Sequence, residues 1–354
     1  MVVRESCVAG YREVIALCWT ESTSIQGSGA EVNYVSELNS NINRDIRTFN
    51  PLGNTPYVDI LEDINLNCEY YDEVSFINSF SSSNNVCVFS LNIQSLQAKF
   101  ISLTNIIDSL RSKNAQPDFL LLQETFIKDD FHFHISGYKS IFNSRANNLR
   151  GGGTLVYCSD LFNIKQLINN NFFISNLLEA TVVQVEIPGK SKLLLVSLYR
   201  PNTHTVLNNA QQIDSFMIAL GEFLDILNNY NLPIISCGDY NIDLFKLNDP
   251  NNIATTFLDL FAAFGFINLI TKATRIAKTA ATTSATALDL IFLNDLSIFC
   301  RSGVFIDSPS DHFATFIEIN LSKPKLKSNP YSSSRRFTNE NTTRFKNALL
   351  NQNW

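Results

Sequence analysis

The chain has 354 residues, 45% of them hydrophobic and 17% charged, which is enough apolar material for a sizeable core and excludes a disordered chain. Its seven cysteines (Cys7, Cys18, Cys68, Cys87, Cys158, Cys237 and Cys300) are scattered without a C-x2-C pair or histidines at zinc spacing, which argues for reduced, mostly buried thiols rather than a zinc module. No apolar run approaches the length of a membrane span, and Cys7 to Trp19 is interrupted by Arg12 and Glu13, so neither a transmembrane helix nor a signal peptide is expected.

The net charge of -6 is unevenly spread. Residues 1–85 hold 4 basic against 12 acidic side chains, residues 323–354 hold 7 against 1, and the middle holds 16 against 20. Mild acidity in the middle excludes a broad electrostatic binder of nucleic acid. It suits a domain that holds a cation with carboxylates and uses a few placed arginines.

Residues 1–84, rich in Asn, Ser and Glu, read as an acidic, weakly patterned segment. Patterning begins at residue 85. Val86 to Leu91 is a short β-rich run, Phe100, Leu103, Ile106, Ile107 and Leu110 recur at helical spacing, and Asp118 to Gln123 is a second buried strand: a β-α-β unit. Beyond Gly151-Gly152-Gly153, Thr154 to Cys158 reads as a strand, and Ala180 to Ile187 with Lys192 to Tyr199 reads as a hairpin through Pro188-Gly189. Ile213, Phe216, Met217, Leu220, Phe223, Leu224 and Leu227 mark the buried face of a long helix. Pro233 to Cys237, Ala287 to Leu293 and Phe313 to Ile319 supply further strands. Such interleaving predicts two packed sheets flanked by helices. Residues 323–354 read as a basic connector.

Chemically interesting residues gather at strand ends: Asn92, Glu124, Tyr199, Asp239, Asn241, Asp289, Asp311 and His312. Glu124 and Asp311, with the amide of Asn92, are hard oxygen groups suited to Mg²⁺. Asp239 and Asn241 can point a carboxylate and an amide at one phosphate. His312 has a plausible acidic partner in Asp289, which would favour an imidazolium able to donate to a transition-state oxygen. Taken singly, each has a plainer reading. Gln123-Glu124-Thr125 can be a polar strand end, Gly238-Asp239-Tyr240-Asn241 a turn, and Ser310-Asp311-His312 a helix cap. Asp289, inside Ala-Leu-Asp-Leu-Ile, requires a partner in either case.

The ordered set Ser90-Leu91-Asn92-Ile93-Gln94-Ser95-Leu96, Leu122-Gln123-Glu124-Thr125, Ser197-Leu198-Tyr199-Arg200-Pro201, Gly238-Asp239-Tyr240-Asn241, Leu288-Asp289-Leu290-Ile291 and Ser310-Asp311-His312 resembles the endonuclease/exonuclease/phosphatase superfamily over residues 85–322. The resemblance implies a four-layer α-β-β-α sandwich of two mixed sheets and hydrolysis of phosphate esters with divalent cations. It implies Asn92, Glu124 and Asp311 as metal-site residues, Asp239 and Asn241 as water- and phosphate-orienting groups, Tyr199 at the scissile phosphate and Asp289 behind His312. Tyr240 stands where the family often has Phe. Asn-Ile-Gln-Ser-Leu, Tyr-Arg-Pro-Asn and Thr274-Arg275 look most like endonucleases of LINE-type (non-LTR) retrotransposons, with Tyr71 to Phe80 similar to the segment upstream of that domain and Arg335 to Trp354 similar to the connector into the reverse transcriptase. No polymerase motif is present in the sequence. The expectation is a Mg²⁺-dependent, DNA-nicking endonuclease, with Mn²⁺ as a substitute ion, no small-molecule cofactor, Arg200, Asn202 and Arg275 touching DNA, and action inside the cell, in the nucleus. The competing expectations are a phosphoinositide or sphingomyelin phosphodiesterase of the same fold, and a catalytically idle remnant acting as a binding protein.

Overall fold

A computed structural model describes residues 68–128, 132–143, 151–167, 173–174, 177–187, 192–201, 209–246, 253–278, 283–324 and 338–350. Two mixed sheets carry the fold. The first runs, in spatial order, β1 (Cys68–Tyr71), β15 (Phe299–Phe305), β16 (Ala314–Ser322), β2 (Asn85–Asn92), β3 (Phe119–Gln123), β5 (Thr154–Ser159) and β4 (Tyr138–Asn143). The second runs β11 (Ile267–Asn268), β14 (Asp289–Leu293), β10 (Ile234–Asp239), β9 (Lys192–Tyr199), β8 (Leu178–Glu186) and β6 (Asn163–Gln166), with the short β7 (Phe173–Ile174) also on β8. A separate ribbon pairs β12 (Arg275–Lys278) with β13 (Thr283–Thr286).

Strand alternation decides which layer each side chain joins. From β2 and β3, Val86, Val88, Phe119 and Leu121 enter the core shared with the second sheet, whereas Cys87, Phe89, Leu91, Leu120 and Leu122 enter a second core beneath helices. Those helices are α1 (Glu73–Phe80) and α2 (Leu96–Ser112), the latter burying Leu96, Leu103, Ile107 and Leu110 at helical spacing. On the far side, α3 (Asn209–Asn228) and α4 (Ala254–Ala263) bury Phe216, Leu220, Phe223, Phe257 and Phe261 with the second sheet. The result is the expected four-layer α-β-β-α sandwich. Parallel pairs β2/β3 and β9/β10 are bridged by α2 and α3, so both crossovers deliver strand ends to one edge of the sandwich. Among the described residues, Cys68, Cys87, Cys158 and Cys237 are buried free thiols, and no helix is long and apolar enough to cross a membrane.

The folded unit begins upstream of the boundary expected at residue 85. β1 pairs in parallel with β15, and α1 is capped by Asp72, whose carboxylate accepts from Ser75 N at 2.7 Å. Phe76 stacks on Phe80 at 4.1 Å and meets Phe89, Phe305 and Phe316 edge-on. Weak periodicity hid this segment because its partners lie at the far end of the chain. Phe76→Ala is expected to cost about 3–5 kcal/mol. Urea unfolding would register it, and a chain starting at residue 81 should unfold earlier than one starting at 68. The C-terminal segment read as a basic connector contains a helix of its own, α5 (Asn339–Leu350), with Glu340 and Arg344 paired at 3.4 Å; residues 325–337 and 351–354 lie outside the described set, as do residues 1–67.

Candidate active site

Backbone register places a row of polar groups across the second sheet. Asp239 at the end of β10 is directly opposite Asp289 on β14 and Tyr199 on β9, and Tyr199 is opposite Glu179 on β8. Directly opposed residues share a face, so two carboxylates are forced together in a buried place. Burial, and then the charge of Asp289, push Asp239 up to about 7, against opposing pulls from His312 and from hydrogen bonds given by Asn241 and Asn92.

His312 relieves this repulsion. It follows β15 in a short bridge to Arg275, and its Nδ1 lies 2.9 and 3.0 Å from the two oxygens of Asp289. Burial alone would lower the imidazole, but Asp289, then Asp239 and Asp311, lift it to about 9. Ligand atoms of Asp239, Asp289 and His312 all lie within 4.8 Å of one another. Thr274 completes the arrangement: its hydroxyl donates to Asp289 Oδ2 at 2.7 Å and accepts from the backbone N–H of Asp289 and Leu288, while its carbonyl accepts from Phe313 N at 2.7 Å. One threonine therefore fixes both the acid and the segment, just before β16, that carries the histidine.

The first sheet contributes Asn92 at the end of β2 and Glu124 just beyond β3. Asn92 Nδ2 donates to Glu124 Oε1 at 2.9 Å and to Asp239 Oδ2 at 2.8 Å. Because carboxylates accept, the amide nitrogen must face them, and Asn92 Oδ1 accepts from Gln94 N. Asn92, expected at the metal, thus orients two carboxylates and turns its oxygen away from both. Glu124 has φ +51° and Asn241 φ +50°, left-handed backbone at two site residues that carry a Cβ. Asn241 donates its backbone N–H to Asp239 Oδ1 at 2.9 Å and its amide to Arg200 O at 2.7 Å. Tyr199 is buried, and burial, then Glu124 and Asp239, raise its phenol beyond the ordinary range.

Gly238-Asp239-Tyr240-Asn241 is a strand end, with only Asn241 turning. A Cβ on Gly238 would lie 1.8 Å from Leu198 O, so close pairing with β9 requires glycine there. Tyr240 points away from the site into Phe257, Phe261 and Phe292, with its hydroxyl 2.9 Å from Ser236 Oγ. This is why tyrosine is accommodated where phenylalanine was expected.

A model of the Endonuclease/Exonuclease/phosphatase family matches residues 89–312, more than half of the chain. The chain belongs to the endonuclease/exonuclease/phosphatase family. Members of this family are hydrolases acting on phosphodiester or phosphate bonds. No curated protein matches the chain. Among solved structures, the AP endonuclease LMAP from Leishmania major is similar at 15% identity, covering 68% of this chain and 90% of that one with a TM-score of 0.54. The catalytic domain of APE2 from Xenopus laevis is similar at 16% identity, covering 69% and 94%, also with a TM-score of 0.54. The endonuclease domain of TRAS1, a telomere-specific non-LTR retrotransposon, is similar at 14% identity, covering 67% and 100% with a TM-score of 0.47. At these identities the likeness to the first two structures shows the fold alone.

Two of the three residues expected to touch DNA are among the described residues, and both have protein partners. Arg200 is largely enclosed: its guanidinium lies 4.8 Å over the Phe216 ring and donates to Asn241 O at 3.0 Å, so it braces the Asn241 turn. Arg275 donates from Nε and Nη2 to Asp311 Oδ2 at 3.0 and 2.8 Å in a half-exposed pair. Asn202 lies outside the described residues. Asp311 is pulled upward by burial, but hydrogen bonds from Arg275 and the charges of His312 and Arg275 leave it below the ordinary carboxylate range. Lys99 on α2 was not singled out from sequence, having no motif around it. Burial holds its ammonium below the ordinary range, against opposite pulls from Asp311 and Glu124.

Proposed function

We propose that this chain is a divalent-cation-dependent DNA endonuclease that nicks by hydrolysing a phosphodiester. The observation that carries the reading is the meeting of Asp239, Asp289 and His312 within 4.8 Å, beside the Asn92–Glu124 pair, at the common edge of both sheets. In-line attack of water needs a group to orient the water, a donor for the developing oxyanion and positive charge for the phosphoryl oxygens. Asp239, with a pKa near neutrality, suits the first task, and the His312 imidazolium, with Nδ1 held by Asp289, can direct Nε2–H to the phosphate. Asn241 and Tyr199 flank Asp239 and meet the same phosphate.

The donor set fits a hard cation. Glu124 and Asp311 offer carboxylate oxygens, Asp311 is held in its ionised form, and both act on the same ammonium, that of Lys99. These two side chains would hold Mg²⁺ or Mn²⁺, with Asn92 orienting Glu124. When bound, the ion neutralises charge on the phosphoryl oxygens. DNA as substrate is supported by the motif variants shared with non-LTR retrotransposon endonucleases. Among the described residues, Arg275 is an expected DNA contact whose pairing is exposed enough for a phosphate to compete for it. Purified protein should convert supercoiled plasmid to the open circle with Mg²⁺ and stop with EDTA. Intact plasmid under both conditions would sink the reading.

The histidine assignment has a direct test. In metal-free protein the His312 ring should stay protonated past pH 8 and titrate near 9, since its pKa is raised and the charged form persists below that value. In Asp289→Asn the burial penalty remains while the principal attraction is lost, so the midpoint should fall by about two to three units, to below about pH 7.5. Imidazole NMR shifts across pH 5–10 would show it. A midpoint that does not move would remove Asp289 as the partner.

A further inference from the structure

The Asp239–Tyr199 row ends on an acid that no motif marks. Glu179 is 1% exposed, and its Oε2 accepts from Gly153 N at 2.6 Å. Gly153 closes the Gly151-Gly152-Gly153 turn, in which all three residues have positive φ. That turn holds the segment after β3: Thr125 N donates to Gly153 O at 3.2 Å and Phe126 N donates to Gly152 O at 2.9 Å. From the other side Ser95 N donates to Glu124 O at 2.8 Å and Leu96 N to Thr125 O at 3.0 Å. Glu124 and Phe126 are both left-handed, at φ +51° and +56°, so this segment keeps an unfavourable backbone only because it is clamped on both sides. A Cβ at Gly153 would lie 2.8 Å from Thr125 Oγ1, so the turn and the segment touch directly.

We propose that Glu179 is a positioning residue for the cation site: its carboxylate, anchored in the second sheet, fixes the glycine turn and through it the strained backbone that presents Glu124. This rests on Glu124 being a cation ligand. A charge-assisted bond to a backbone N–H is among the stronger anchors a side chain can offer, and at 2.6 Å its acceptor is tightly defined. The charge of Glu179 also reaches Tyr199, directly opposite in register, so one acid is tied to both sides of the site.

The test is Mn²⁺ binding to the full chain, followed by the loss of the free-ion electron paramagnetic resonance signal, with no turnover required. Glu124→Ala should weaken Mn²⁺ binding, and Glu179→Ala should weaken it about 10- to 100-fold, as loss of an outer support does. Glu179→Gln should restore most of the affinity, since its amide oxygen can still accept from Gly153 N. Wild-type affinity in Glu179→Ala beside a loss in Glu124→Ala overturns the proposal alone. Equal losses in Glu179→Ala and Glu179→Gln overturn it as well, because the acid would then act by charge rather than by its hydrogen bond. Unchanged affinity in Glu124→Ala overturns the cation-ligand reading, and this inference with it. Should Glu179→Ala not fold, Gly153→Ala disturbs the same turn from the other side, and wild-type Mn²⁺ affinity there overturns the proposal.

Discussion

His312→Ala should lower plasmid nicking by on the order of 10³-fold, and Asp289→Asn should lower it nearly as far. The first change removes the donor. The second leaves the imidazole in place but takes away the charge that lifts it to about 9, so at pH 7.5 the ring becomes neutral. A neutral ring whose Nδ1–H stays bonded to the new amide oxygen has no proton on Nε2, and nothing is left to donate to the phosphate. Since the two residues act as one unit at 2.9 Å, the double mutant should be little worse than the worse single. A purely structural Asp289 predicts a different pattern: lost stability, modest loss of activity in the folded fraction, and effects that add. Single-turnover nicking rates for the two singles and the double, normalised to folded protein by circular dichroism, decide between them. Additive losses would break the pairing and leave the cation site untouched.

The Asp289–His312 pair was legible from sequence because an acid inside Ala-Leu-Asp-Leu-Ile cannot stay in an apolar strand without a partner. The strands β2, β3, β9 and β10 were legible because each is an apolar run that stops at a polar residue, and that stop is where the site lies, whereas the antiparallel β14 brings its acid, Asp289, to the same place at its start. What stayed hidden depends on who faces whom. Which atom of the Asn92 amide faces the two carboxylates depends on their placement across both sheets, and its nitrogen lies toward Glu124 and Asp239. Arg200 follows a strand end like a substrate contact, yet Phe216 from α3 covers it. β15 was not read from the sequence; within it Arg301 is satisfied by Glu318 on β16 at 2.6 Å. Glu179 and Lys99 carry no local signature, since their significance comes only from register and from helix placement.

Glu124→Ala should abolish metal-dependent nicking at ordinary assay sensitivity while leaving most of the fold's stability. A cation held partly by Glu124 supplies several kcal/mol of charge stabilisation to the phosphoryl transition state. Losing about 3 kcal/mol of it is about a hundredfold in rate, and poorer ion occupancy adds to that. Stability should fall far less. Alanine inherits the same left-handed backbone position, so the local strain is not relieved, and the new deficits are an Asn92 N–H and a Tyr199 hydroxyl that lose Glu124 as a partner, each worth about 1–3 kcal/mol if water does not replace it. Glu124→Gln sharpens the test, because its amide oxygen can keep the Asn92 hydrogen bond while the charge is gone. If Glu124 serves the cation, Glu124→Gln should unfold in urea like the wild type and still nick poorly, with partial recovery at high Mn²⁺. Should Glu124→Gln nick at the wild-type rate while Glu124→Ala does not, Glu124 matters only as the acceptor that aligns Asn92 and Asp239, and the cation must be held elsewhere in the site.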